Sequence, residues 1–402
     1  MEHRLVTAIE RALGWDGPGA LGTAFVRGHL ADDDLPTRLL TSHGLLDVVM
    51  RRHLANPQIR CFANGGELHP SRFLADVVNR RRQAFRQADM AALGQMLNEG
   101  GTLVLDSLNV FDPTMEIACR ALSWWTGELV SVNAYLAVGD TAGFRMHWDD
   151  HDVICVQLAG EKSWEVRGTS RPVPMYRDTE QNLTPPDDVI WSGTMQAGDV
   201  MHIPRGHWHT ATRVGSGEGC SLHLTFGITQ RTGVTWVNFL SDMARGDELF
   251  RTDAVRTNKA DADELTARLT ELARQCDPQR YRAELRATLP PARHMPFIPA
   301  LGTLRTVAAV TEFEPIITTD DDRVEVIAGG KKLTFAHRAA PLLRVLLSGH
   351  PVPLDKADAD TTQLAGILVQ EGLCAPLSDE SSSGYTGLLS PATFSKEPSA
   401  SA

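Results

Sequence analysis

Residues 198–209 of the chain read GDVMHIPRGHWH. A turn at Gly198-Asp199, the apolar run VMHIP and a second turn at Arg205-Gly206 predict a strand, a reversal and the start of another strand. His209 therefore opens a strand directly after a tight turn. A histidine in such a position suits metal binding, provided that other parts of the chain supply further ligands.

Residues 143–149, upstream of this stretch, read GFRMHWD. If they form a strand, His147 and Asp149 point to one face, because side chains alternate with a period of two. Two histidines and one carboxylate on one side of a metal make the facial triad of non-haem iron(II) sites, which leaves further positions open. His207, two residues before His209, shares its face and is an alternative third ligand.

The surroundings of both stretches are rich in strands. Short β-branched and aromatic runs between Gly, Asp and Pro turns predict strands at Thr102–Leu105, Val130–Val138, Val153–Leu158, Ser163–Val166 and Ser221–Ile228. Many short strands of this kind indicate a sandwich or barrel. The first residues predict a helix instead, with Leu5, Val6, Ile9 and Leu13 on one face.

Four segments together resemble the ribosomal-oxygenase branch of the JmjC cupin family. They read VNAY (132–135), HWDDHDVICVQLAGEKSWEV (147–166), GDVMHIPRGHWHTA (198–211) and CSLHLTFGITQRTGVTW (220–236). The resemblance implies a double-stranded β-helix with flanking helices. It also implies an enzyme that uses Fe(II), 2-oxoglutarate and O2 to hydroxylate a side chain in a protein or peptide, with a ribosomal protein as the first candidate substrate.

The same resemblance assigns the metal ligands. The family places them on an H-x-D motif and on the histidine after an IPxGxxH turn, which correspond here to His147, Asp149 and His209. The family spacing thus selects His209 over His207.

The family's co-substrate contacts also have counterparts. Its GxKxW motif implies that Lys162 binds the distal carboxylate of 2-oxoglutarate, and its NxY motif implies a role for Asn133 and Tyr135. A lysine with a tyrosine hydroxyl would supply a charge-assisted and a neutral hydrogen bond to a carboxylate in a closed barrel. The structural alternatives are a solvated lysine at a strand end, core packing for Tyr135 and turn capping for Asn133.

The remaining histidines have less specific interpretations. His151 is expected at the mouth of the substrate site, whereas His202 and His223 lie within strands and are expected in the core or pocket. Cys155 is expected to be a small buried residue. Two other functions compete with hydroxylation of ribosomal protein: tailoring of a peptide natural product, and a catalytically silent metal-binding cupin that contacts a partner. Retention of three ligands together with Lys162 argues against the silent protein.

The chain is predicted to be α+β with four regions. Residues 1–245 are assigned to the JmjC/cupin catalytic domain with N-terminal helices, and 246–312 to a helical linker or dimerisation region. Residues 313–378 are assigned to a winged-helix-like module, with strands at Val324–Ile327 and Lys332–Phe335 and helices at Ala339–Leu347 and Thr362–Glu371. Residues 379–402 are Ser-rich and are assigned to a disordered tail.

Bulk charge limits the possible partners. The formal net charge is −11, from 50 acidic and 39 basic side chains, which excludes wrapping of nucleic acid by overall charge but not a local basic patch. The winged-helix-like module is itself slightly acidic, so no direct nucleic-acid contact is expected. Six scattered cysteines without zinc spacing, and no long apolar run, predict a reduced, cytoplasmic protein without a membrane span, which we expect to be a homodimer.

Overall fold

The computed structural model describes residues 1–141, 144–175, 183–213, 219–229, 232–253 and 259–392. The chain forms two compact units, of which the first comprises Met1–Thr229 with Leu377–Ala392 and the second takes the described residues between 232 and 376. No helix in these ranges is long and apolar enough to cross a membrane.

The first unit contains five helices and thirteen strands up to residue 229, in the described part of the chain. Their bounds are α1 Arg4–Leu13, β1 Val26–His29, α2 Leu35–Leu39, α3 Ser42–Arg51, β2 Ile59–Ala63, β3 Gly66–Glu67, β4 Leu74–Val78, β5 Ala84–Ala88, α4 Met90–Asn98, β6 Thr102–Leu105, α5 Pro113–Thr126, β7 Val130–Val138, β8 Phe144–His147, β9 Asp152–Arg167, β10 Val189–Gln196, β11 Asp199–Ile203, β12 His209–Thr212 and β13 Cys220–Ile228.

The second unit begins with helices and continues with short strands. Its elements among the described residues are α6 Gly233–Ala244, α7 Lys259–Gln275, α8 Pro278–Thr288, β14 Thr306–Ala309, β15 Ile316–Thr319, β16 Arg323–Ala328, β17 Lys331–Ala336, α9 Ala340–Leu346, β18 Val352–Pro353, α10 Ala359–Gln370 and β19 Cys374–Pro376. A last helix, α11 Asp379–Ser383, returns to the first unit.

Antiparallel strands build the core of the first unit. The main sheet runs β1-β11-β9-β13-β7-β6-β2-β3, while β10 and β12 pair with the far end of β9 and β8 pairs with β12. The long strand β9 thus joins two sheets: Val153–Val156 pair with β11, and Ser163–Val166 pair with β12. This arrangement is the cupin-type fold predicted from the sequence.

A glycine allows β9 to pass between the sheets. Gly160 has φ +60°, and a Cβ on it would lie 1.7 Å from the carbonyl oxygen of Cys220 in β13. We expect Gly160→Ala to cost about 2–6 kcal/mol in unfolding free energy, from roughly 1–3 of backbone strain and 1–3 of overpacking. Urea denaturation measures this. Gly139 is the matched control, because its φ is +64° and nothing lies within 4 Å of its Cβ.

Gly139→Ala should therefore cost only the backbone term of about 1–2 kcal/mol. Equal losses of stability in the Gly160 and Gly139 variants would show that the close approach of β9 to β13 does not add to the cost of the Gly160 substitution in unfolding free energy.

The predicted helix at the N-terminus is confirmed. Helix α1 buries Leu5, Val6, Ile9 and Leu13, and it packs against β1, β11 and α5. The predicted strands are also present, with one difference: the two segments predicted at 153–158 and 163–166 are the single strand β9. Antiparallel partners on both sides of Gly160 keep the strand continuous.

The predicted end of the catalytic domain differs from the observed unit. The first unit ends at Thr229, so α6 belongs to the second unit, although the sequence assigned residues up to 245 to the catalytic domain. The helix packs through Leu240 against Cys276 and Tyr281. These contacts are distant in sequence, so no local pattern indicated them.

The tail prediction is wrong for its first part. Tyr385, Leu388 and Leu389 are buried, and the backbone N–H of Arg4 donates to the carbonyl of Leu388 at 3.0 Å. A Ser-rich composition suggested disorder, yet the few apolar residues within it suffice to attach the segment to the first unit. Residues 393–402 of the predicted tail lie outside the described residues.

Candidate active site

The first unit brings the three predicted metal ligands together. His147 ends β8 and His209 begins β12, where the two residues are paired across the strands with ring centroids 4.4 Å apart. A carboxylate oxygen of Asp149 lies 3.5 Å from Nε2 of His209. One ligand atom from each residue lies within 4.8 Å of the other two, which is compact enough to hold one metal ion.

The position of Asp149 does not follow from strand periodicity, contrary to the sequence argument. β8 ends at His147, and Asp149 lies in the segment after it. The backbone N–H of Gly206 donates to the carbonyl of Asp149 at 2.9 Å, and the N–H of Arg205 donates to the Asp152 carboxylate at 2.9 Å. The turn before His209 therefore holds the segment that presents Asp149.

Hydrogen bonds orient both histidines for metal binding. Nδ1 of His147 lies 2.9 Å from the carbonyl of Arg145, and Nδ1 of His209 lies 3.0 Å from the carbonyl of His207. A carbonyl only accepts, so each Nδ1 carries a proton, which leaves Nε2 as the nitrogen that can bind a metal. Burial, followed by the nearby His147, lowers the pKa of His209 to about 4, so the ring is neutral at physiological pH.

A cavity of about 280 Å³ adjoins the three ligands. Lys162 of β9 lines it and is only 1% exposed. Within the described ranges, its ammonium has neither an ion-pair nor a hydrogen-bond partner. Burial lowers its pKa to about 8, so it is still mostly charged at neutral pH. A buried cation without a counterion favours an anionic ligand, because an unpaired buried charge is costly.

Tyr135 and Asn133 of β7 line the same cavity. Asn133 hydrogen-bonds the tyrosine hydroxyl, and its side-chain oxygen accepts the backbone N–H of Ser107 at 2.9 Å. Burial raises the pKa of Tyr135 well above its usual value, so the hydroxyl keeps its proton and can donate. Asn133 thus contacts both Tyr135 and the segment that begins at Ser107.

His223 of β13 lines the same cavity and has one buried ring nitrogen that makes no hydrogen bond to a described residue. Its ring stacks on Tyr135, with centroids 4.6 Å apart and planes 2° apart. It is 3% exposed, and its buried Nδ1 lacks a hydrogen bond within the part of the chain that the structure describes. Burial, followed by the charge of Lys162, lowers the pKa of His223 well below its usual value, so the ring is neutral.

The remaining histidines lie in the core, at the cavity or outside it, and none belongs to the three-residue cluster among the described residues. His202 is fully buried, and its Nδ1 donates to the carbonyl of Ala24 at 2.8 Å, so it is a core residue with its hydrogen bond made. His151 lines the cavity, whereas His207 lies outside both the cavity lining and the three-residue cluster.

Sequence reasoning did not single out Arg60, Trp164 or Thr225 as cavity residues. Cavity residues recur two positions apart along the strands: Val153 and Cys155 in β9, and His223 and Thr225 in β13. Cys155 is buried, as expected. The period of two along β9 and β13 was the available signal. It was insufficient because the strands had no assigned inner face.

The region that contains the site is similar in sequence to known proteins. Residues 110–235 match the family described as JmjC domain, so the predicted resemblance is confirmed and this region includes every proposed ligand and co-substrate contact. Ribosomal oxygenase 1 of Gallus gallus is 28% identical over 156 residues, which are 38% of this chain and 25% of that protein. The bifunctional lysine-specific demethylase and histidyl-hydroxylase NO66 of Brugia malayi is 29% identical over 154 residues, which are 37% of this chain and 21% of that protein.

A solved structure is similar over most of the chain. YcfD, a ribosomal oxygenase from Escherichia coli in complex with cobalt and 2-oxoglutarate, superposes with a TM-score of 0.53 at 15% identity, covering 88% of this chain and 95% of that one. At this identity the similarity establishes the fold alone. The chain spans about a quarter of the length of the two curated relatives.

Proposed function

We propose that the protein is an iron(II)- and 2-oxoglutarate-dependent oxygenase that hydroxylates an amino-acid side chain of a ribosomal protein. The observation that carries this proposal is Lys162, a buried and unpaired cation in the same cavity as His147, Asp149 and His209. A metal-binding cupin with a structural role has no need of a buried lysine. A co-substrate with two carboxylates does, because one binds the metal and the other requires a cation.

The residues of the cavity fit both an iron(II) ion and 2-oxoglutarate. Two neutral imidazoles and one carboxylate are the donor set of non-haem iron(II), and they leave coordination positions for a bidentate ligand and O2. Lys162, the Tyr135 hydroxyl and the orphaned Nδ1 of His223 provide polar groups for a carboxylate deeper in the cavity. When bound, iron(II), 2-oxoglutarate and O2 supply the oxidising chemistry, and the co-substrate leaves as succinate and CO2.

The protein's own residues position and shield the reactants. Lys162 pairs with the distal carboxylate and Tyr135 donates a hydrogen bond to it, while Asn133 holds the tyrosine in place. Trp164 lines the cavity beside His209, with ring centroids 6.3 Å apart, and covers part of its wall with an apolar surface. Burial of Lys162 strengthens its pairing with a carboxylate, because a charge pair is screened less inside a protein than in water.

The substrate class is inferred from relatives whose names are ribosomal oxygenase and histidyl-hydroxylase. We propose a histidine or arginine of a ribosomal protein as the hydroxylated residue. We expect the segment 167–191 to help select the substrate; its residues 176–182 lie outside the described residues.

The test uses ribosomal proteins from a strain that lacks this gene. Incubation with the purified protein, iron(II) and 2-oxoglutarate should add the mass of one oxygen atom to one ribosomal protein, with one succinate formed per hydroxylation. The His147→Ala variant is the control and should add none. Succinate release driven by a small peptide and not by ribosomal proteins would favour the tailoring enzyme. If no substrate led to succinate formation, the catalytically silent metal-binding cupin would be the remaining interpretation.

We propose further that the protein is cytoplasmic and homodimeric. Helices α6–α8 form a cluster with their own small core, while Val234 and Val237 of α6 are more than half exposed, at 52% and 54%. Exposed apolar side chains on a helical cluster support contact with a second copy. Of the region 246–312, residues 254–258 lie outside the described residues. The winged-helix-like assignment of 313–378 stays a prediction, supported by the order of β16, β17, α9 and α10.

A further inference from the structure

A run of positive charge lies on the hairpin formed by β4 and β5. Residues 70–88 contain five arginines and one acidic residue, Asp76, within a chain of net charge −11. Three of the arginines are consecutive, Arg80, Arg81 and Arg82, at the tip that joins the two strands. All three are exposed.

These three guanidinium groups have no ion pair or hydrogen bond among the residues that the structure describes. Exposed arginines elsewhere do pair: Arg51 with Asp47, and Arg280 with Glu284, at 2.8 and 2.7 Å. The positive charge at the tip is therefore available to a partner. Arg86, lower on the hairpin, already pairs with Asp76 at 3.1 Å.

The tip has a defined shape. The side-chain oxygen of Asn79 accepts the backbone N–H groups of Arg81 and Gln83, at 2.9 and 3.0 Å. A lone two-stranded hairpin is only marginally stable in water, so it needs an anchor. The anchor lies at the base, where Phe73 and Leu74 are buried, and along β5, where Phe85 packs edge-on against His53 with centroids 4.9 Å apart.

We propose that this tip binds the phosphate backbone of single-stranded RNA. Guanidinium groups form forked hydrogen bonds with phosphate, and their planes stack on unpaired bases. A protein partner is disfavoured because residues 79–84 are exposed and include no aromatic or large apolar side chain that would serve as the buried anchor of a protein interface. Val78, at the end of β4, is the one exposed large apolar side chain beside them, and it is too small to be a typical anchor. Positively charged, polar surfaces of this kind are typical of nucleic-acid contacts.

The acidic character of the whole chain does not oppose this contact. At physiological salt the Debye length is about 8 Å, so exposed acidic side chains farther than this from the tip are largely screened. The overall charge still prevents wrapping of nucleic acid, as expected from the composition. The contact is therefore local and sensitive to salt.

Fluorescence anisotropy of a short labelled single-stranded RNA, titrated with the full chain at several KCl concentrations, tests the proposal. The triple variant Arg80→Ala, Arg81→Ala, Arg82→Ala should bind at least about tenfold more weakly. The slope of log affinity against log salt should become shallower by about 2, because each phosphate contact to a single strand contributes about 0.7. The matched control replaces three exposed arginines elsewhere, Arg251, Arg274 and Arg338, with alanine and should bind like the wild type.

A second variant separates charge from geometry. Lysine at all three positions keeps the charge but loses the fork and the stacking, so it should keep the salt slope and bind several-fold more weakly than the wild type. Unchanged affinity in the alanine variant, equal loss in the control variant, or absence of RNA binding by the wild type would overturn the proposal. Equal affinity for a labelled polyglutamate would assign the tip to acidic proteins instead.

Discussion

Replacement of Lys162 with methionine is expected to weaken 2-oxoglutarate binding at least about 100-fold. Methionine keeps the length and the apolar contacts of the side chain but leaves the distal carboxylate buried without its cation, which costs about 3–5 kcal/mol. Calorimetric titration of 2-oxoglutarate into the manganese-loaded protein measures the change. Manganese affinity should stay the same as in the wild type, because Lys162 is not one of the three ligands.

The same residue predicts a pH dependence. Its pKa is lowered to about 8, so the ammonium is present below that pH and is lost above it. The dissociation constant of 2-oxoglutarate should therefore rise about tenfold for each pH unit above 8. Lys162→Arg keeps its charge in this range and should show no such rise. A constant affinity of the wild type between pH 7 and 10 would remove Lys162 from the co-substrate site.

Replacement of His209 with alanine is expected to reduce metal affinity by more than about 100-fold, since loss even of a residue that supports a ligand costs about 10- to 100-fold. Equilibrium dialysis with cobalt(II) measures it without any need for turnover. His147→Ala should also reduce metal affinity strongly, because each of the two imidazoles offers one ligand atom to the three-residue cluster.

His207→Ala is the matched control for this assignment. His207 lies outside the cluster, and the bond that orients His209 uses the backbone carbonyl of His207, which the substitution keeps. This variant should bind cobalt(II) within a few-fold of the wild type. Loss of cobalt in the His207 variant with retention in the His209 variant would reverse the choice between the two residues.

Parts of the site were predictable because they depend on short segments. The turn after β11 and the strand that begins at His209 followed from Gly, Pro and apolar residues that are neighbours in the sequence. Family spacing then selected His209 over His207 and pointed to Lys162. Asp149 does lie beside His147 and His209, but the periodicity argument for it does not hold, since β8 ends two residues earlier.

The sequence by itself determined which residue types are available and the local period of each segment, as in the buried face of α1 and the strands β6 and β7. Only the tertiary structure decided that Lys162 of β9, Tyr135 of β7 and His223 of β13 share one cavity, that α6 joins the second unit, and that Leu388 is buried near the N-terminus. The reason is physical. Periodicity describes which side of a segment is apolar, whereas a cavity and a domain boundary depend on contacts between segments far apart in the chain, such as the close approach of Gly160 to Cys220.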